Sequence, residues 1–268
     1  MAETELNEVE SEISVTGGML YTKTWKPTLT SQKAPVILLH DSLGCVGMWR
    51  DFPSHLALRL QRPVIAYDRL GFGRSTPRQE IHSKDFINEE ADVFFPALRN
   101  DLKLNEFLLF GHSVGGAMAL TIASRYPDSC KAVITEAAQA FVERLTVEGI
   151  QRAKVLFEKP KPFGKLKRWH GERAQWVLDA WVNTWLSPDF STWTLEPVLP
   201  LVKCPVLAIH GERDEYGSKR FPEFICEKVS GYSEMHLLPD CGHIPHREKE
   251  GTFLDLVAHF IERHVSVD

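Results

Sequence analysis

The sequence predicts an α/β fold with a parallel sheet covered by helices on both faces, and three features carry that expectation. Short, continuously apolar runs such as Val36-Ile37-Leu38-Leu39 and Val206-Leu207-Ala208-Ile209 suit strands buried on both faces. Segments of helical period separate them, as in Ala91, Phe94, Phe95, Leu98 and Leu102. Loops rich in glycine and polar residues follow the strands, where open sheets of this class carry their chemistry.

With 268 residues, 43% of them hydrophobic, the chain can bury a large core as one globular unit. A net charge of −5 argues against nucleic acid as a partner, because phosphate binding needs a concentrated basic face. Neither a secretory leader nor a membrane-spanning run is evident, and the five dispersed cysteines read as reduced thiols, so a cytoplasmic protein with no membrane partner is expected.

Taken in order, residues 1 to 10 read as a frayed acidic tail. Ser11 to Val15 and Met19 to Trp25 then form a hairpin across Gly17-Gly18. Buried strands follow at Ala34 to His40 and Pro63 to Tyr67, separated by a helix over Trp49 to Leu60. A helix over Ile87 to Leu104 leads to the strand Phe107 to Gly111, a helix to about Tyr126, and the strand Ala132 to Glu136. The alternation breaks from about Ala137 to Lys203, where amphipathic segments span Thr146 to Phe157 and Glu172 to Leu186. Five of the seven tryptophans fall there. Trp181 and Trp185, four apart on one helical face, are expected to shape a substrate pocket beneath a helical cap, with packing on the body as the plainer alternative. The run Lys154, Lys159, Lys161, Lys165, Lys167, Arg168 and Arg173 reads as the solvated face of that insert. The main pattern resumes with a strand to His210, a helix over Ser218 to Val229, a strand over Ser233 to Leu238 and a last helix over Glu250 to His264. The division expected is a core half at 1–136, a cap at 137–203 and a second core half at 204–268.

The functional centre is predicted at Gly111-His112-Ser113-Val114-Gly115. Glycines two before and two after a serine, between a buried strand and a helix, let the two elements approach closely and lift the hydroxyl clear of the sheet. A serine hydroxyl needs a base to take its proton and a carboxylate to orient that base. His243 and Asp214 are the candidates, each in a loop directly after a buried strand, in the chain order serine, acid, histidine. Glu136 is an alternative acid. Among the 11 histidines, His246 could be a surface residue beside the site, His40 and His210 could brace loops, and His112 abuts the serine with its ring turned elsewhere. Backbone N–H groups must receive the oxyanion, one from Val114 and one from Ser42, with Leu43 as runner-up.

These residues lie in stretches that together resemble the α/β-hydrolase superfamily: His40-Asp41-Ser42-Leu43-Gly44, Tyr67 to Ser75, Gly111 to Gly116, Gly211-Glu212-Arg213-Asp214 and Cys241-Gly242-His243. The resemblance spans nearly the whole chain. It implies a mostly parallel eight-stranded sheet with one antiparallel strand, a helical cap after the sixth strand, and no metal or organic cofactor. It also implies a serine hydrolase acting on small carboxylic esters or lactones, acyl-homoserine lactones among them. Aminopeptidase, C–C bond hydrolase, acyltransferase and non-catalytic receptor readings stay open. The chain departs from the family's pattern at Asp41, where glycine is usual.

Overall fold

A computed structural model describes residues 5–28 and 33–265. Eight strands form one sheet in the order β1-β2-β4-β3-β5-β6-β7-β8. They are β1 (Leu6–Val15), β2 (Gly18–Pro27), β3 (Val36–Leu39), β4 (Val64–Tyr67), β5 (Phe107–His112), β6 (Cys130–Glu136), β7 (Val206–Gly211) and β8 (Ser233–Leu238). Strand β2 runs antiparallel to both neighbours, and the pairs from β4 to β8 are all parallel. Strands β3, β4, β5 and β7 are buried at every position, as their unbroken apolar runs require.

Helices cover both faces. Helix α1 (Phe52–Leu60) follows β3, and a continuous helical run follows β4, made of α2 (Phe86–Glu89), a π-helical turn (Glu90–Phe94) and α3 (Phe95–Asp101). Helix α4 (Val114–Arg125) leaves β5 directly. Between β6 and β7 lie α5 (Arg144–Phe157), α6 (Pro160–His170) and α7 (Ala174–Trp185), and α8 (Arg220–Lys228), α9 (Pro245–Glu248) and α10 (Glu250–His264) complete the core. Two apolar clusters form, one around α4, α3 and the insert, the other around α1 and α10.

The structure corrects the expected N-terminal tail. Residues 1–4 lie outside the described residues, but Leu6 to Glu10 belong to β1 and pair with β2 from Leu6↔Pro27 onward. This edge strand buries only Ile13, so its polar sequence lacked the apolar alternation of a strand. Its glutamates instead meet cations, Glu8 with Lys23 at 2.7 Å and Glu10 with Arg74 at 2.8 Å, and charges also guard an exposed edge. The turn sits at Thr16-Gly17, one residue earlier than expected, because Gly18 already pairs with Val15. Helix α6 was not foreseen, since Pro160, Pro162 and Gly164 weaken its helical signal.

The sharp turn from β5 into α4 depends on glycine. A Cβ at Gly111 would overlap the Gly115 carbonyl, and one at Gly115 would overlap the Leu39 carbonyl of β3. Gly164, inside α6, has no atom within 4 Å of the place its Cβ would take. Gly111→Ala should therefore lower the free energy of unfolding by about 2 kcal/mol or more. Gly164→Ala should be neutral or raise it, by up to about 1 kcal/mol. Urea denaturation of the two variants measures both signs.

Candidate active site

Ser113 occupies the turn between β5 and α4 with φ 58° and ψ −124°, a backbone region that side chains rarely adopt. Such a conformation costs about 1–3 kcal/mol and persists only where its surroundings hold it. Here the Ser113 N–H donates to the Glu136 carbonyl at 2.8 Å, and its own carbonyl accepts the Gly116 N–H at 2.9 Å. The result presents Oγ at the end of the sheet beside the loops that follow β3, β6, β7 and β8.

The structure brings Ser113, His243 and Asp214 into one hydrogen-bonded line. His243 Nε2 is 3.1 Å from Ser113 Oγ, and His243 Nδ1 is 2.9 and 2.8 Å from the two oxygens of Asp214. A carboxylate only accepts, so Nδ1 carries the proton and Nε2 turns a lone pair to the serine. The Asp214 side chain is fully buried. Burial would raise its pKa, but the His243 ring and its hydrogen bond, with His210 and the Tyr216 N–H, hold it below the usual carboxylate value. Tyr216 also lays its ring 4.9 Å from that of His243.

Other histidines resolve by what their nitrogens meet. His210 donates from Nε2 to the Gly217 carbonyl at 2.9 Å and so braces the Asp214 loop. His40 accepts the Arg69 N–H at 3.1 Å and lies 2.8 Å from the Asp41 carbonyl, bracing the loops after β3 and β4. His246 is not a surface residue: it is 2% exposed, and its Nδ1 meets Glu136 at 2.7 Å. That pairing commits Glu136, the alternative acid, to His246 rather than to His243.

The loop after β3 is pinned by the Asp41 carboxylate, which accepts the Leu43 N–H at 2.7 Å. Leu43 N–H is thus occupied, whereas Ser42 N–H has no protein acceptor among the described residues. Val114 N–H, at the first position of α4, has no acceptor within the helix.

A cavity of ≈ 270 Å³ opens onto Ser113. Met48, Ile150, Leu156, Phe157, Trp181 and Tyr216 give it apolar walls. Trp181 stands where the sequence placed it, but Trp185 does not line this cavity. Trp185 is 3% exposed and packs against Phe190 and Trp193 at 5.1 and 5.6 Å, because α7 turns that position into the insert's own core. Trp169 and Trp176 lie over Gly47 and Gly71 of the body. His170 accepts the Gly73 N–H at 3.1 Å and donates to the Leu43 carbonyl at 2.9 Å, tying α6 to the loop after β3. Of the basic run, Arg173 leaves the solvated face to hold the Gly73 and Ser75 carbonyls, while the six other members are exposed.

Sequence reasoning missed Gln139. It is 6% exposed, in the loop after β6, with its side-chain Oε1 accepting from Ser113 Oγ at 3.1 Å. Its place just after a strand that ends at the reactive edge was the available signal. Among the described residues no helix is long and apolar enough to cross a membrane.

Comparisons with known proteins agree with this architecture. Mouse serine hydrolase BPHL is 28% identical over 239 residues, covering 85% of this chain and 79% of its own. A rat 1-acylglycerol-3-phosphate O-acyltransferase, ABHD5, is 34% identical over 116 residues, which are 42% of this chain and 32% of that protein. Among solved structures, the enol-lactonase from Burkholderia xenovorans LB400 superposes with a TM-score of 0.74 at 18% identity, over 94% of this chain and 100% of that one. Proline iminopeptidase from Mycobacterium smegmatis gives 0.72 at 21% identity, over 96% and 98%. The family described as alpha/beta hydrolase fold matches residues 34–174, more than half of the chain. With its sheet order and the turn at Ser113, that match makes the chain a member of the α/β-hydrolase fold family.

Proposed function

We propose that the protein is a serine hydrolase that cleaves small carboxylic esters or lactones through an acyl-enzyme on Ser113. The observation that carries this reading is the unbroken line from Asp214 through His243 to Ser113, ending inside a cavity with apolar walls. His243 Nε2 takes the proton as Oγ attacks the substrate carbonyl, and Asp214 supports the imidazolium that forms. The oxyanion is received by the N–H groups of Val114 and Ser42, and losing one such donor costs about 3–4 kcal/mol of transition-state binding. His243 then returns the proton to the leaving group and activates water against the acyl-enzyme.

Ser113 has one hydroxyl proton and two partners at 3.1 Å, His243 and Gln139. As oriented, Gln139 Oε1 competes with His243 for that proton; a turned amide, with its NH₂ toward Oγ, frees the proton for His243. Gln139 in that orientation donates to the serine oxygen and steadies it as it becomes the nucleophile.

Substrate size follows from the cavity. Its ≈ 270 Å³ falls just below the usual span of ligand sites, about 300 to 1,000 Å³. Helices α5 and α7 of the insert, through Ile150, Leu156, Phe157 and Trp181, act as its roof and exclude water from the acyl group.

Ser113→Ala should lower p-nitrophenyl acetate turnover at least about 10³-fold with the fold intact, as judged by kcat/KM and circular dichroism. Full retained turnover would refute the assignment. Trp181→Ala should move the optimum of an acetate-to-octanoate ester series toward longer chains and weaken kcat/KM for the shortest about 10-fold. An unmoved optimum would remove Trp181 from the acyl pocket.

A further inference from the structure

Asp41 stands where the family usually carries glycine, one residue before Ser42, and its side chain lines the same cavity as Ser113. A carboxylate there opposes the reaction, because the tetrahedral intermediate gathers negative charge at the same place. In the effective dielectric of a protein, two like charges a few ångströms apart cost about a hundredfold or more in rate. Neutralising Asp41 by protonation is not the solution the fold adopts. Burial would raise its pKa, yet the hydrogen bond and charge of His112, the charge of His40 and the Leu43 N–H hold it far below the usual range.

Two contacts set the protonation of His112. Its Nε2 is 2.8 Å from the His243 carbonyl oxygen, which only accepts, so Nε2 carries a proton. Its Nδ1 is 3.5 Å from Asp41 Oδ2, where a bare lone pair would face a carboxylate. An ion pair with Asp41 requires a proton on Nδ1 as well, which makes the ring a cation, and the residue is only 3% exposed to solvent. A second carboxylate supports it from the adjacent strand, since Glu136 pairs with His112 in the register of β5 and β6. Glu136 is itself held by the His246 N–H at 2.6 Å and by His246 Nδ1. Burial alone would lower the pKa of His112, but Glu136, then the contact and charge of Asp41, then the His243 carbonyl push it up to about 9. The remaining groups packed on the ring are His243 and His246, with centroids 5.1 and 5.6 Å away, and Trp49 at 6.3 Å. Arg247 is a further cation near the cluster: burial lowers its pKa, against the charges of Asp41 and Glu136, which raise it.

We propose that His112 is a positioning residue for the acyl-transfer reaction: its imidazolium cancels the Asp41 charge beside the oxyanion site and ties the loop carrying Ser42 to the loop carrying His243. This rests on the hydrolase reading above. Because the folded-state pKa is raised, the effect is complete below the ordinary histidine value and is lost as pH rises through about 9.

A double-variant cycle on the full chain tests this with p-nitrophenyl acetate across neutral and alkaline pH. His112→Asn should lower kcat about 100-fold with KM within about 3-fold, since Asp41 is left uncompensated. Adding Asp41→Asn should regain at least about 10-fold, and the alkaline fall near pH 9 should vanish from the double variant. A histidine NMR titration of the unaltered protein should find one ring that stays protonated to about pH 9, needing no variant to fold. Equal cost of His112→Asn in both backgrounds, or no histidine titrating above its ordinary range, would overturn the proposal. Failure of the hydrolase reading would look different: the unaltered protein would neither turn over esters nor be labelled at Ser113 by a fluorophosphonate. The NMR titration would still decide the charge of His112.

Discussion

Everything at the site depends on how closely α4 can approach β5 and β3. Three glycines allow that approach: Gly111 lies against the Gly115 carbonyl, Gly115 against the Leu39 carbonyl, and Gly116 against the Ala138 side chain. That contact forces Ser113 into its strained conformation, and the bonds to Glu136 and Gly116 hold it there. The strain places the hydroxyl, the first N–H groups of α4 and the loop after β3 around one small volume. Loosening the contact would let the serine relax toward ordinary backbone geometry and carry its oxygen away from His243.

Around that turn the fold buries the carboxylates of Asp214 and Glu136 and half-buries that of Asp41, and each is matched. Asp214 faces His243 and His210, Glu136 faces His246 and His112, and Asp41 faces His112 and the Leu43 N–H. Buried ions left alone cost several kcal/mol, so the pairs act as a unit, and no member can be removed without stranding another. Two carboxylate–histidine pairs thus lie side by side. The Asp214–His243 pair reaches the serine, whereas the Glu136–His246 pair sits beneath it and reaches no hydroxyl.

Most of the fold was legible because parallel strands buried on both faces announce themselves as short apolar runs, and all eight strands fell within predicted segments or beside them. The first half of β1 was hidden by its exposure on both faces, and α6 by its prolines and glycine. At the site, Ser113, Asp214 and His243 were readable from motif, chain order and position after strands, and their side chains do converge. Roles set by packing were not readable. Whether His246 lies at the surface or under the sheet end depends on where α9 begins, and whether Trp185 or Trp181 faces the cavity depends on how α7 rolls against the body. Gln139 and the charge on His112 required knowing what lies across a strand, which spacing along one chain does not contain.

The most direct measurement is the intact mass and peptide map of the protein after rapid mixing with p-nitrophenyl acetate at mildly acidic pH, where base-assisted deacylation is slowed. The expected result is a burst of p-nitrophenol with one acetyl group on the peptide that carries Ser113, lost again when the pH is returned to neutral. Steady release without a burst, and with no acetyl group on Ser113 at any time, would contradict an acyl-enzyme at this serine.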